Sequence, residues 1–252
     1  MKEILAIFKK EFKTQIRYKI IWINLSLTPF FIIAPYVFTA RGIQHNLQGD
    51  VITGCFIWFW LNQYFFGLGD AFRDERESGT LVSIIVSPIS MINFLIGKGL
   101  WLYVNCIYIT IVTMTIFAAM GVNEAISIKM FVIYLVSGIY LFCFSIFFSA
   151  LVLNFKKLSS VNSMIQEGIG ILSGMTVKIN NYPKLIQGIA NFIPLTFAIK
   201  LGRQVLNGAT FKDMYSTLLI LSILSIIYFF IGTIVLKTVE NSLRKTGDFE
   251  KW

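Results

Sequence analysis

The densest run of alternating charge in the sequence lies between two long apolar segments. Its residues are Arg73, Asp74, Glu75, Arg76, Glu77, Ser78, Gly79 and Thr80. Side chains of both signs at this density are suited to ion pairs with a protein partner, and Gly79 permits a backbone turn that other residues resist. Because charge at bilayer depth is costly, the run must lie in water or against protein. We predict a partner-docking loop at residues 70–90. The alternative is an ordinary solvated loop capped by Ser78 and Thr80.

An acidic residue, Glu167, lies inside another apolar segment. A carboxylate at membrane depth is a candidate functional group by default. Two other interpretations stay open at this point. The carboxylate is either a protonated or hydrogen-bonded group at an interface between two copies, or it lies near the wet end of its helix.

Groups that could catalyse a reaction are sparse. The only histidine, His45, is expected to be a solvated residue in an outer loop. The three cysteines are expected to be buried free thiols: Cys55, Cys106 and Cys143. The stretch 97–99, Gly-Lys-Gly, lacks the first glycine and the hydroxyl residue of a P-loop, so the chain has no P-loop for ATP. An intramembrane enzyme would have to use Glu167 and Asp70, without a clustered catalytic pair or a metal-ligand set.

The composition is that of an integral membrane protein. Of the 252 residues, 56% are hydrophobic and 14% are charged, whereas soluble domains carry roughly 25% charged residues. Six apolar stretches are predicted to cross the bilayer as helices. They lie near residues 20–39, 51–69, 100–120, 130–153, 158–177 and 215–236. We therefore predict an all-α integral membrane protein, with residues 1–252 forming a single transmembrane domain.

Two further segments have the character of membrane-interface structure. Residues 1–19 place apolar and basic side chains on adjoining faces of a helix, which predicts an amphipathic helix lying in the interface. Residues 178–214 contain an apolar run, 185–199, that is too short to cross and is interrupted by Pro194. This pattern predicts a re-entrant helical hairpin before the last span.

The distribution of basic residues predicts the orientation of the chain. The surplus of 22 Lys and Arg over 13 Asp and Glu is concentrated at the two termini and in the 70–99 and 154–157 segments. Such a bias favours cytoplasmic termini and does not imply nucleic acid as a partner. Lys200 and Arg203, in the outer hairpin, are expected to extend toward lipid head groups.

Two motifs carry a family resemblance. The run Glu75-x-x-x-Gly79-Thr80-Leu81, followed by Pro88 and Gly97-Lys98, resembles the loop after the second helix of type-2 ATP-binding-cassette (ABC) exporter permeases. Tyr182-Pro183, then Asn191-Phe-Ile-Pro194-Leu-Thr196-Phe, then Arg203, is similar to that family's hairpin before the last helix. One departure is Val82, since many members have an acidic residue directly after Gly-Thr-Leu.

The resemblance implies a mechanism and a set of partners. Two permease copies pair, as a homodimer or a heterodimer, in the lipid of the cell membrane. Each copy binds a cytoplasmic ATPase subunit, so the assembly has two, and these subunits carry ATP and Mg²⁺. The permease itself binds no cofactor and has no catalytic residues. The loop at residues 70–90 would form a short coupling helix that docks in a groove of the ATPase.

Residue types and spacing elsewhere in the chain indicate further roles. The fifth span is expected to contribute to the dimer seam and the translocation pathway, because Gly170-x-x-x-Gly174 has the spacing that lets two helices approach closely. The pathway or seam residues are Asn62, Gln63, Asn162, Gln166, Glu167, Gly170 and Gly174. The hairpin is expected to form an outer gate, with Pro183, Gly188 and Pro194 as its gate residues.

The substrate is the least determined part of this interpretation. We expect export of an amphiphilic peptide or drug. Lipid-linked polysaccharide or another lipid-like cargo is the alternative for the same machinery. An intramembrane enzyme, an ion channel or a structural membrane protein are more remote alternatives, and association with an ATPase subunit would separate the first interpretation from them.

Overall fold

The computed structural model describes residues 2–43, 47–123, 126–154 and 162–246. Within these ranges all regular structure is helical, which confirms the predicted all-α fold. The helices are α1 (Lys2–Arg17), α2 (Lys19–Ile43), α3 (Leu47–Gly69), α4 (Ala71–Glu77), α5 (Leu81–Val86), α6 (Met91–Ala119), α7 (Ile128–Asn154), α8 (Asn162–Leu172), α9 (Lys184–Ala190), α10 (Pro194–Leu206) and α11 (Phe211–Thr246). His45 lies outside the described residues.

Among the described residues, five helices are long and apolar enough to cross a membrane: α2, α3, α6, α7 and α11. The short helices α9 and α10 together pass the same test of composition but are bent by 96° at their junction. The bundle therefore has five spans, or six if the bent pair is one span, as expected for a multi-pass membrane protein. We refer to its two ends as the α4–α5 end and the α9–α10 end.

The centre of the bundle is α3. Helices α2, α6, α7, α8 and α10 all pack against it. Its largest side chains are fully buried, namely Trp58, Trp60, Leu61, Tyr64 and Phe65. The indole N–H of Trp60 donates to Thr110 of α6 at 2.9 Å, which satisfies a polar group that would otherwise be costly at this depth.

Glycines allow the neighbouring helices to approach α3 closely. A Cβ atom at Gly54 would overlap the backbone carbonyl of Met175, and one at Gly138 of α7 would overlap the ring of Trp60. At Gly202 of α10, a Cβ would lie 2.6 Å from a methyl group of Thr53. Small residues at helix contacts are typical of membrane proteins, where packing replaces the hydrophobic effect as the driving force.

Two helices extend beyond the spans predicted within them. The third span was predicted near residues 100–120, and α6 begins at Met91, where Ser90 caps it by accepting the N–H of Asn93. Gly97 and Lys98 therefore lie inside a helix instead of closing the loop. The last span was predicted near residues 215–236, and α11 continues to Thr246, where its charged end packs on the α5–α6 junction.

The fifth predicted span, 158–177, also needs correction. Residues 158–161 lie outside the described ranges, and α8 ends at Leu172. Its end is set by a turn at Gly174, whose φ of +79° is accessible to glycine but rarely to other residues. The Gly170-x-x-x-Gly174 pattern therefore does not form a continuous helical face.

The hairpin has the broken form that the sequence predicted. A 3₁₀ turn (Ile179–Asn181) leads into α9, and Pro194 occupies the first position of α10, where its missing N–H costs nothing. Helix α10 is mostly buried between α3, α7 and α11. Protein thus covers α10, whereas Asn191 and Phe192, at the junction with α9, are exposed.

The contact between α3 and Met175 gives a test of this packing. We expect Gly54→Ala to destabilise the chain by about 1–3 kcal/mol, because the added methyl group meets backbone that cannot rotate away. Thermal unfolding of the purified chain in detergent measures the effect. Gly188→Ala is the matched control, since a Cβ there meets nothing within 4 Å and alanine favours helix. Equal midpoints for the two variants would contradict the packing.

Candidate functional site

The predicted docking loop, residues 70–90, is a pair of short helices, which we call the α4–α5 surface. Helix α4 ends at Glu77 and α5 begins at Leu81, with Gly79 at φ +70° between them. The backbone N–H of Thr80 donates to the carbonyl of Glu75 at 2.8 Å and closes the turn. The sequence prediction of a charged helix ended by a glycine turn therefore agrees with the structure.

Glu75 is the anchor of this turn. Its side chain is 8% exposed and receives an ion pair from Lys10 of α1 at 2.7 Å. The hydroxyl of Thr80 also donates to its carboxylate. Burial alone would raise the pKa of Glu75, which lies beyond the end of α3, but the hydrogen bonds from Lys10 and Thr80 outweigh burial and lower it. Glu75 therefore stays ionised and links α1, α4 and the start of α5.

Helix α1 packs along α6. Ile7 is buried against Gly97, where a Cβ would lie 2.8 Å from the Ile7 side chain. The rings of Phe8 and Phe12 meet Trp101 edge-on, at centroid distances of 5.8 and 5.3 Å. Part of the apolar face predicted to meet lipid is thus covered by α6, and α1 acts as a brace between α6 and the α4–α5 surface.

Polar contacts fasten both ends of this brace to α6. Glu3 accepts a hydrogen bond from Asn93 at 2.8 Å, and Gln15 accepts one from Asn105 at 3.1 Å. These contacts fix the position of α1 along α6, and with it the position of Lys10 beneath Glu75.

Arg73 organises the exposed charges of α4. Its guanidinium lies 3.2 Å from Asp70 and 3.6 Å from Glu77, while Lys98 of α6 lies 3.6 Å from Asp74. The side chains of Arg73, Asp74 and Glu77 are 43%, 53% and 70% exposed. They are accessible to a partner, and pairs this exposed contribute little to stability. Of Arg76, the structure describes the backbone in α4 only.

The apolar half of the surface was not predicted from the sequence. Leu81 and Ile85 of α5 are buried against the bundle, whereas Val82 and Val86 are 45% and 73% exposed. Residues four apart lie on one face of a helix. The spacing of Val82 and Val86 was the sequence signal for this exposed apolar face. It places both side chains on the outer face of α5, which follows Ser78 and Gly79 in the chain.

The end of α11 holds the junction between α5 and α6. Glu240 accepts the N–H of Met91 at 3.1 Å and pairs with Arg244 at 2.8 Å. Arg244 also donates to the carbonyls of Ser87 and Ile89, each at 3.3 Å. These contacts join residues that lie far apart in the sequence, so no local pattern predicts them.

Four of the residues predicted for a pathway or seam are buried or half-buried inside this chain. Asn162 and Gln166 are buried inside this chain: Asn162 donates to the carbonyl of Phe65 at 3.3 Å, and Gln166 donates to Asn162 at 2.9 Å. Asn62 is buried and Gln63 is half-buried on α3.

Glu167 lies on the exposed side of α8, away from Asn162 and Gln166. Gly170 is buried, and the group it approaches is Trp58 of the same chain, not a second copy. The close approach that the glycine pattern predicted therefore exists at Gly170 but serves α3, while Gly174 forms a turn.

At the α9–α10 end the gate residues lie around the hairpin. Pro183 precedes α9, Gly188 lies in α9 with open space around it, and Pro194 begins α10. Arg203 does not extend to head groups as expected. Its side chain is 11% exposed, lies 4.0 Å from Asp50, and donates to the carbonyls of Gly174 and Met175 at 2.8 and 3.1 Å. Through these hydrogen bonds the buried Arg203 holds the turn after α8.

The described residues hold no cluster of three or more His, Cys, Asp or Glu side chains that could bind a metal ion. Cys55 and Cys106 are buried free thiols, as predicted, and Cys143 is half-buried. Within the described ranges, the arrangement suited to a partner is the α4–α5 surface: ionic on α4, apolar on α5 and braced by α1, α6 and α11.

Comparison with known protein families gives a match over most of the chain. The model of a family described as ABC-2 family transporter protein matches residues 6–234, which is nearly the whole chain. No curated protein matches the chain.

The Glu75 anchor generates a prediction. We expect Glu75→Ala to lower the free energy of unfolding by about 1–3 kcal/mol, because Lys10 and the Thr80 hydroxyl lose a charged partner. Glu77→Ala, which removes an exposed carboxylate from the same helix, should change it by less than about 0.5 kcal/mol. Chemical denaturation in detergent compares the two variants, and equal effects would show that Glu75 is not an anchor.

Proposed function

The chain belongs to the ABC-2 family of transporter proteins, and from that premise we propose that it is the permease subunit of an ATP-driven exporter. The α4–α5 surface is the observation that carries this proposal. This surface is compact and exposed, it carries both ionic and apolar side chains, and it is held in place by α1, α6 and α11. We propose that a separate cytoplasmic ATPase subunit docks on it.

The absence of a P-loop in the sequence supports a separate ATPase. ATP and Mg²⁺ are then bound by that partner, and the chain itself has no catalytic role. Two ATPase copies would serve an assembly of two permeases. Because α4 follows α3 directly, and α5 leads into α6, a displacement of the docked ATPase would be transmitted to α6 and to α3, the central helix of the bundle.

The construction of the surface suits this transmission. A rigid docking element transfers movement to the helices it joins only if it does not deform locally. Glu75 holds the turn between α4 and α5, and Glu240 and Arg244 hold the turn between α5 and α6. In this proposal Glu75 and Thr80 position the surface, whereas Asp74, Glu77 and the valines of α5 contact the ATPase.

We propose that pairing with a second permease uses the exposed face of α8. Met164 and Ile171 are 77% and 53% exposed, and Glu167 lies between them on the same side. The spacing of these residues follows the helical repeat, so they form one face opposite the buried Asn162 and Gln166. This face, and not the Gly170 contact, is the candidate for the dimer seam and the wall of a pathway.

The proposed orientation places both termini and the α4–α5 surface in the cytoplasm of a cell-membrane protein, in accordance with the bias of basic residues. The α9–α10 hairpin then lies at the outer side and serves as the gate. The proposed cargo is an amphiphilic peptide or drug, moved outward.

The docking proposal predicts that Val86→Asp abolishes co-purification of the ATPase subunit from native membranes. Val86 is 73% exposed, so the substitution should leave the unfolding midpoint of the permease unchanged. A carboxylate placed in an apolar contact reduces the binding free energy by several kcal/mol, which is enough to dissociate a complex of micromolar affinity. Val177→Asp is the control, since Val177 is 42% exposed at the opposite end. Unchanged co-purification of the Val86 variant would reject the surface.

A second prediction concerns the source of ATP hydrolysis. We expect the purified chain to show no ATP turnover, and turnover to appear when the P-loop ATPase that co-purifies from native membranes is added. The measurement is phosphate release in lipid nanodiscs. Turnover by the permease without a second polypeptide would contradict the proposed division of labour.

A further inference from the structure

A cavity of about 420 Å³ lies at the α9–α10 end, between the turn after α8 and the outer face of α10. Its size falls within the range of small-molecule sites in proteins. Three cations line it, Lys178, Lys200 and Arg203, together with polar residues such as Ser173 and Thr196. No carboxylate belongs to its lining among the residues that the structure describes.

The charges around the cavity are not balanced. Asp50 is the neighbouring acid, and it accepts an ion pair from Lys178 at 2.8 Å and lies 4.0 Å from Arg203. Lys200 is exposed and forms no ion pair within the described part of the chain. One carboxylate therefore faces three cations, which leaves an excess of positive charge in a partly buried space, where it attracts an anion more strongly than in open water.

An apolar groove of about 480 Å³ adjoins this cavity, and Ala209 lines both. The groove lies between the starts of α7 and α11. Its apolar lining includes Ile128, Val132, Ile133, Val205, Phe211 and Met214. Ile128 and Phe211 are 77% and 73% exposed, so the groove is open at the surface of the bundle, where a hydrocarbon chain can enter from the bilayer.

We propose that the cavity and groove together form a binding site for an anionic amphiphile that carries a phosphate group. The phosphate lies against Lys200, and the hydrocarbon chain lies along the groove. Basic pockets between membrane helices bind anionic lipid head groups by the same chemistry. The site does not depend on the proposed ATPase coupling, because it lies at the opposite end of the bundle and needs no second polypeptide.

Binding of phosphatidylglycerol to the purified chain in neutral detergent tests the proposal, with native mass spectrometry and the unfolding midpoint as readouts. Phosphatidylglycerol is expected to bind and raise the midpoint, and phosphatidylcholine, whose choline cation offsets the phosphate, to bind at least fivefold more weakly. Lys200→Gln should weaken phosphatidylglycerol binding by about fivefold, the effect of one basic residue at an anionic lipid. Lys184→Gln, on exposed α9 and outside the cavity lining, is the matched control and should bind as the native chain does.

Equal binding of the two lipids, or native affinity in Lys200→Gln, would overturn the site. Glycerol phosphate and inorganic phosphate are expected to compete only weakly. If either binds as tightly as phosphatidylglycerol, the groove has no part in binding and the amphiphile assignment is wrong.

Discussion

Charge cannot be left unpaired at bilayer depth, and this constraint places the ionic contacts of the described chain at the two ends of the bundle. At one end the carboxylate of Glu75 joins α1, α4 and α5; at the other the guanidinium of Arg203 joins α10, the turn after α8 and the start of α3. In both places backbone hydrogen bonds close a turn, and a mostly buried charged side chain joins that turn to neighbouring helices. The long apolar helices between them are packed through glycines and aromatic rings instead.

This arrangement links the proposed functional elements through α3. Helix α4 follows one end of α3 with little intervening chain, and Asp50, near the other end, contacts both Arg203 and Lys178 of the hairpin region. The α4–α5 surface and the α9–α10 hairpin are therefore attached to the same central, deeply buried helix. A shift of α3 produced at the docking surface would reach the hairpin without passing through a flexible loop, which is the property an ATP-driven gate needs.

Much of the architecture was predictable because its signals are local. Runs of about 20 apolar residues indicate spans whatever their neighbours, and Gly79 indicates a turn for reasons of backbone geometry. The errors concern residues whose role is decided by a distant contact. Gly97 was placed in the loop, but it lies within α6, where the absence of a side chain lets α1 pack closely. Gly170 does allow a close approach, but to Trp58 of its own chain, and Arg203 is drawn inward by Asp50 and two carbonyls. The exposure of Val82 and Val86 was not predicted, because exposure on a six-residue helix depends on what covers its other face.

The central claim is that the outer face of α5 touches an ATPase, and site-specific photocrosslinking in native membranes tests it most directly. A photoreactive amino acid in place of Val86 should form a covalent adduct with a P-loop ATPase subunit on illumination. The same amino acid in place of Leu185, which is 75% exposed on α9 at the opposite end, should not. An adduct with the ATPase from position 185, or adducts from position 86 with lipid and the permease alone while the ATPase remains bound, would contradict the account.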